Sequence, residues 1–392
     1  MTGDAGPRVV GVTTGRPSAP IVVLALAAGL SAVLIIGLGA RMTFWGDEWA
    51  FWLDPPASLF EPNNEHWSTV PYLVYSALSG ATTYLPFMVV LAVSHLVAAS
   101  GLYVLAEPRT GRWFAVGLAT LLLFLGSAAQ DFMWAWQVGF VGSVGIGLWG
   151  LVALDHDRRA PAAVLLTIAL ATAGPALFML GVAVLWRPSR WLAIPIVIYA
   201  VWYLTFGRTT VGAVQNPFSI DSLLAAPAFV VQSVAYAMGG VTSLGAIGGL
   251  VLVGLLVAVA IRSRAERLFW ASLVALIGYY LAIALVRSSI PGATELPRYV
   301  HPAAVLVLVM VACVMPAFRD RRLRLLASGL LAIAIAGNAI TLVSVGVGPT
   351  PRYTVPTPYG CIDTPVITGD AAGGPTAVAE VPARYLCAGV AR

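Results

Sequence analysis

Charged side chains are scarce in this chain. Only 10% of its 392 residues are Asp, Glu, Lys or Arg, against 59% hydrophobic. A soluble domain is nearer a quarter charged, so this composition excludes a pair of water-solvated domains and requires lipid as the solvent. Lysine is absent, and all 22 basic residues are arginine. Cysteine occurs three times, and no pair has zinc-finger spacing. The chain also lacks a Walker loop, a Gly-x-Ser-x-Gly elbow and a His-Glu-x-x-His helix, which removes the commonest nucleotide, hydrolase and zinc-protease signatures. The formal charge of +5 does not indicate a nucleic-acid partner, because most of the arginines sit in short loops between apolar runs.

Long apolar runs are what the chain has in quantity. A helix needs about 20 apolar residues to cross a hydrocarbon core of about 30 Å. Runs of that kind fall near 21–40, 86–105, 113–128, 138–154, 191–206, 240–261, 268–286, 301–317 and 325–344. The apolar stretch 161–186 has arginines on both flanks and Gly174-Pro175 in its middle, so it reads as two short helices forming a hairpin that returns to its starting side. The expectation is an all-α bundle of about eleven crossings. The first run reads as a retained signal anchor.

Arginine placement gives the orientation. With residues 1–20 as a cytoplasmic arm, 15 of the 22 arginines fall in cytoplasmic loops, and 11 of the 17 acidic residues fall outside. The expected localisation is the plasma membrane, with the N-terminus in the cytoplasm and the C-terminus outside. A transmembrane domain then covers 21–344, and an extracytoplasmic tail rich in Pro, Gly and Thr covers 345–392. In that tail Cys361 and Cys387 lie 26 positions apart. An oxidising compartment favours their pairing, closing a small lobe. Cys313 falls inside an apolar run and reads as a packing residue.

The loops on the outer side carry the polar groups. The longest, 41–85, holds Asp47-Glu48 and Asn63-Asn64-Glu65-His66-Trp67 and ends in the apolar segment 70–84. That segment reads as an interfacial helix rather than a twelfth crossing. The later part of a second outer loop, 223–238, reads the same way. Adjacent carboxylates folded over a cavity can take a proton from a hydroxyl or bind a metal ion; solvated at a membrane surface, they are ordinary. His66 can act as a second acid/base group or as a ligand. Asp131 and Gln137, with Trp134 and Trp136, follow the third run. Arg298-Tyr299 precedes the run from 301; its guanidinium can pair with a phosphate or reach lipid headgroups. His95 falls within a crossing, as a packing residue or part of a polar relay. The cytoplasmic loops are too short for a nucleotide-binding domain, so chemistry is expected outside, where a lipid-activated donor is the practical one.

This layout resembles the GT-C superfamily of integral membrane glycosyltransferases, of the protein O-mannosyltransferase and lipid A aminoarabinose transferase type. Asp47-Glu48 stands where those enzymes carry an acidic pair after the first helix. Asn64-Glu65-His66 resembles a loop segment of some members, and Arg298-Tyr299 an Arg-Tyr element. The resemblance covers most of 20–345, by topology more than by identity. It departs at Trp67-Ser68, where prolines would follow the histidine, and in the small outer tail. It implies a polyprenyl-phosphate sugar donor, a glycan, lipid or protein acceptor, and inversion at the anomeric carbon. Asp47 would be the base, Glu48 and His66 would position the acceptor or a divalent metal, and Arg298 would hold the donor phosphate. A lipid-linked-sugar flippase or other transporter, and a non-catalytic envelope-assembly scaffold, are the alternatives. The absence of an internal repeat weighs against a transporter built from inverted repeats.

Overall fold

The computed structural model describes residues 18–40, 42, 44, 48, 51, 56–209, 219–288, 290, 292–318 and 320–347, and the backbone of 352–357 and 360–365. The described chain is nearly all helix. Among these residues nine helices are long and apolar enough to cross a membrane: Ala19–Gly39, Leu85–Thr110, Arg112–Met133, Ala135–Asp155, Ile220–Thr242, Gly245–Ser263, Arg267–Arg287, Pro297–Ala317 and Arg321–Val347. Three shorter apolar helices, Arg159–Leu170, Ala176–Trp186 and Arg190–Thr205, accompany them.

The centre of the bundle follows from side-chain size. Val300–Val314 is apolar all round and buried at nearly every position, as expected of a helix enclosed by others. Leu85–Thr110 and Val138–Asp155 pack against one another where Gly145 faces the Ala98 backbone. A Cβ there would stand 3.0 Å from the Ala98 nitrogen. Small residues allow such close approach in lipid, where packing rather than water exclusion drives helix association. The periphery is different. Leu26, Val33, Ile247, Leu326 and Ile340 are exposed on Ala19–Gly39, Gly245–Ser263 and Arg321–Val347. Aliphatic surface of this extent is stable against hydrocarbon, not water.

Two of the expected helices differ in length from the reading of the sequence. The run 191–206 is a 13-residue α-helix, Ala193–Thr205, opened by one 3-10 turn. The stretch 223–238 belongs to a 23-residue helix, Ile220–Thr242. That helix ends three residues into the expected crossing 240–261, where Ser243 and Gly245 take left-handed backbone (φ 58° and 72°) and the chain restarts as Gly245–Ser263. Gly174-Pro175 does separate two short helices, as its helix-breaking chemistry requires. The segment 70–84 overlaps the nine-residue helix Thr69–Ala77, about 14 Å long and shorter than a bilayer core.

The two ends of the bundle are chemically unlike. At one end Arg109 bridges Asp155 at 2.8 Å and Glu266 at 2.6 Å, Arg187 reaches Asp155 at 3.2 Å, and both guanidiniums lie over the Trp186 ring. This network joins the ends of four helices. In the tail, Arg352–Thr357 and Gly360–Pro365 pair antiparallel. The Cys361–Cys387 pairing lies outside the described residues. Among the described residues Cys313 is buried and unbridged.

Candidate functional site

The opposite end holds a cavity of about 220 Å³, lined by residues from loop 41–85, the 172–175 turn and the helices Ala135–Asp155, Ala176–Trp186, Arg190–Thr205, Arg267–Arg287 and Pro297–Ala317. Its polar groups include Glu65, His66, Gln137, Arg287, Arg298 and Tyr299; its aromatic walls include Trp134, Trp136, Phe140 and Tyr199.

Local sequence explains how the loop reaches the cavity. Pro62–Asn63 and His66–Trp67 form a two-residue antiparallel ladder. The connection needs a left-handed residue, and Asn64 supplies it at φ 51°. Asparagine tolerates that region better than most L-residues. Trp67 then stacks on Trp202 at 5.3 Å and 10°, while the Trp202 indole N–H donates to the Phe60 carbonyl at 2.8 Å. The Val70 N–H donates to the Ala171 carbonyl at 3.0 Å, joining this loop to the 172–175 turn. His66 packs edge-on against Phe140 and directly over Gly174, where a Cβ would stand 2.6 Å from Nδ1.

Glu65 crosses the cavity to Arg287, with Nη2 to Oε1 at 3.0 Å. Burial raises the Glu65 pKa, but the charges of His66 and Arg287 outweigh it and hold the carboxyl below its ordinary range. Arg298 is less committed. Its one described hydrogen bond is a long 3.5 Å contact from Nη2 to the Tyr299 hydroxyl, its guanidinium lies over that ring at 5.2 Å, and its buried Nε has no protein partner among the described residues. It also stands at the N-terminal mouth of Val300–Val314, where unpaired N–H groups favour an anion. A planar fork with spare donors beside a helix N-terminus suits a phosphate.

Glu48 occupies a different place from the one its sequence neighbourhood suggests. It is fully buried and does not line the cavity. The Tyr75 hydroxyl donates to Oε1, the Tyr84 hydroxyl lies 2.9 Å from the same atom, and Tyr84 accepts from the Ala135 N–H at 2.7 Å. Tyr75 packs edge-on against Trp136, a cavity wall, so Glu48 braces that wall from behind. Burial, and then the Glu48 charge, raise both tyrosine pKa values well above 10, so both stay hydroxyl donors. Asp47 lies outside the described residues.

Asp131 is buried in the field of Arg298 and close to the His301 backbone N–H, but among the described residues neither carboxylate oxygen has a partner at hydrogen-bonding geometry. Gln137 lines the cavity, and its Oε1 has no partner among the described residues. Sequence reasoning missed Arg287, whose signal was its position: one of seven arginines expected on the outer side. Among the described residues, no three His, Cys, Asp or Glu side chains converge as a metal site. No family model matches the chain, nor does any curated protein or solved structure.

Proposed function

We propose that this chain is a polytopic plasma-membrane glycosyltransferase of the GT-C kind, with its N-terminus in the cytoplasm and its cavity on the outer face. The carrying observation is the cavity itself. Glu65 and His66 from the first long loop meet Arg298, whose donors are largely unspent, between aromatic walls at the end opposite the arginine network. Arg298 would hold the phosphate of a polyprenyl-phosphate sugar, and the aromatic faces would pack on the sugar's C–H face. The acceptor oxygen attacks the anomeric carbon, the bond to the phosphate oxygen breaks, and the polyprenyl phosphate leaves with inversion. The acceptor's proton passes to Asp47 as general base. His66 orients the acceptor. Glu48, although expected to act directly, serves here by holding Trp136 through Tyr75. In this reading Thr69–Ala77 lies along the outer leaflet.

The test is transfer from labelled polyprenyl-phosphate sugars in membranes carrying Asp47→Asn or Arg298→Gln. Both variants should fold, and both should lose transfer by about 10²-fold or more, the scale of general-base catalysis. Normal transfer by folded Asp47→Asn would remove the base assignment.

One observation favours a second reading, a proton-coupled transporter. Asp131, His301 and His95 are fully buried; the two imidazole rings are 5.6 Å apart, and neither His301 nitrogen has a hydrogen-bond partner among the described residues. Ionisable groups at such depth often mark a proton path. Proteoliposomes that accumulate lipid-linked sugar down a pH gradient, without a glycosylated product, would establish that reading instead.

A further inference from the structure

The second feature reaches the other end of Arg267–Arg287 through Glu266, the residue just before that helix. An apolar groove of about 420 Å³ runs between Gly245–Ser263, Val300–Val314 and Arg321–Val347, with Arg112–Leu123 behind it. Its walls are aliphatic, among them Leu118, Leu252, Leu255, Val311, Leu326 and Leu330. The groove is continuous with a polar hollow through three residues common to both, Val259, Phe318 and Leu323. Arg262 and Arg264 line that hollow.

The charge there is unbalanced. Glu266, the acid in the hollow, is committed to Arg109. Arg262 and Arg264 are exposed, and among the described residues neither guanidinium has an ion pair or hydrogen bond. Alongside, the first turn of Arg321–Val347 carries Arg321, Arg322 and Arg324. That N-terminus already has one anion, since Asp320 Oδ1 accepts from the Arg322 N–H at 2.8 Å, but a single carboxylate beside three arginines leaves the local charge positive. An oily slot that ends in uncompensated guanidiniums has the shape and polarity of one class of molecule.

We propose that this groove binds an anionic membrane phospholipid, its acyl chains along the aliphatic walls and its phosphate at Arg262 and Arg264. The assignment is independent of the reaction assigned to the cavity. Native mass spectrometry of the full chain released from nanodiscs of equal phosphatidylcholine and phosphatidylglycerol tests it. Among retained lipids the ratio of phosphatidylglycerol to phosphatidylcholine should be about tenfold above the bulk ratio of one to one, as two arginines at a lipid surface support. In the double variant R262Q/R264Q retention should fall to the bulk ratio. Leu255→Trp with Val311→Trp, which fills the groove and keeps both arginines, should lose the bound lipid. Unchanged enrichment in folded R262Q/R264Q would overturn the site, as would abolition of enrichment by millimolar inorganic phosphate, which would make free phosphate the ligand. If the groove-filled variant fails to fold, judged by helical circular dichroism, the arginine pair alone decides.

Discussion

Two residues set what the cavity can hold. Arg298 offers a planar fork, and lysine in its place would keep the charge but present a single point donor. Arg298→Lys should therefore weaken binding of a polyprenyl phosphate by about 10-fold to 100-fold, the worth of one or two charge-assisted hydrogen bonds. Titration of the purified protein with the lipid phosphate measures this, and equal affinities would show that Arg298 does not grip the phosphate. Gly174 acts through what it leaves out. A Cβ there would stand 2.6 Å from Nδ1 of His66 and 2.9 Å from Cε1, and the ring is rigid. Gly174→Ala should push His66 off the turn and lower the thermal midpoint, with a cost of about 1–3 kcal/mol as for other overpacked sites. An unchanged midpoint together with an unchanged His66 resonance would show that the turn yields instead. At this scale the sequence was legible where residue type and loop location coincided: Glu65, His66, Gln137, Arg298 and Tyr299 all line one cavity. It was not legible for Glu48, because adjacency to Asp47 says nothing about which side chain turns inward. Only the positions of Tyr75 and Tyr84, 27 and 36 residues away, show Glu48 as a buried brace.

The hairpin that carries Glu65 is the element on which the cavity's outer wall depends. Its pairing with Arg287 joins positions 222 apart in sequence. Because the Glu65 carboxyl is held below its ordinary range, folding the hairpin releases no stability through this pair once both states are protonated. The pair's contribution should be full above the ordinary glutamate value of about 4.3 and should fade as the pH drops below it. Hydrogen exchange at 59–68 should be flat from neutral pH to that point and then quicken, after correction for intrinsic rates. In Glu65→Gln the same segment should exchange faster at neutral pH and lose the acid step. The buried tyrosines behave oppositely: their raised pKa values mean that the bracing of Trp136 is complete below about 10 and is lost as the pH climbs beyond it. Elements were legible where breakers were strong, as at Gly174-Pro175. They were not legible at 220–242, where Pro227 and the polar residues Gln232 and Ser233 sit inside a helix that packs its Ser233–Val241 face against neighbours. Local sequence could not reveal that tertiary support.

The bundle as a whole separates two kinds of charge, and that separation is open to a direct test. The Arg109 network stands beside Glu266, just before Arg267–Arg287, and the Glu65–Arg287 pair stands at that helix's far end. Twenty-one residues at 1.5 Å each span about 30 Å, which is one hydrocarbon thickness. Whatever the number of crossings, these two clusters must therefore face opposite sides if this helix spans. In the orientation proposed from arginine bias, the Arg109 end faces the cytoplasm and the cavity the outside. In a background without the native cysteines, Asn64→Cys should react with a membrane-impermeant maleimide in intact cells. Arg264→Cys should react only after permeabilisation. Reaction of both from one side would mean that Arg267–Arg287 does not cross, and the reversed pattern would place the cavity in the cytosol, where a lipid-carried sugar would lose its rationale as donor. Accessibility of Asn64 from outside alone would leave the aromatic walls, Arg298 and the loop carrying Asp47 on the side where nucleotide-activated sugars are scarce.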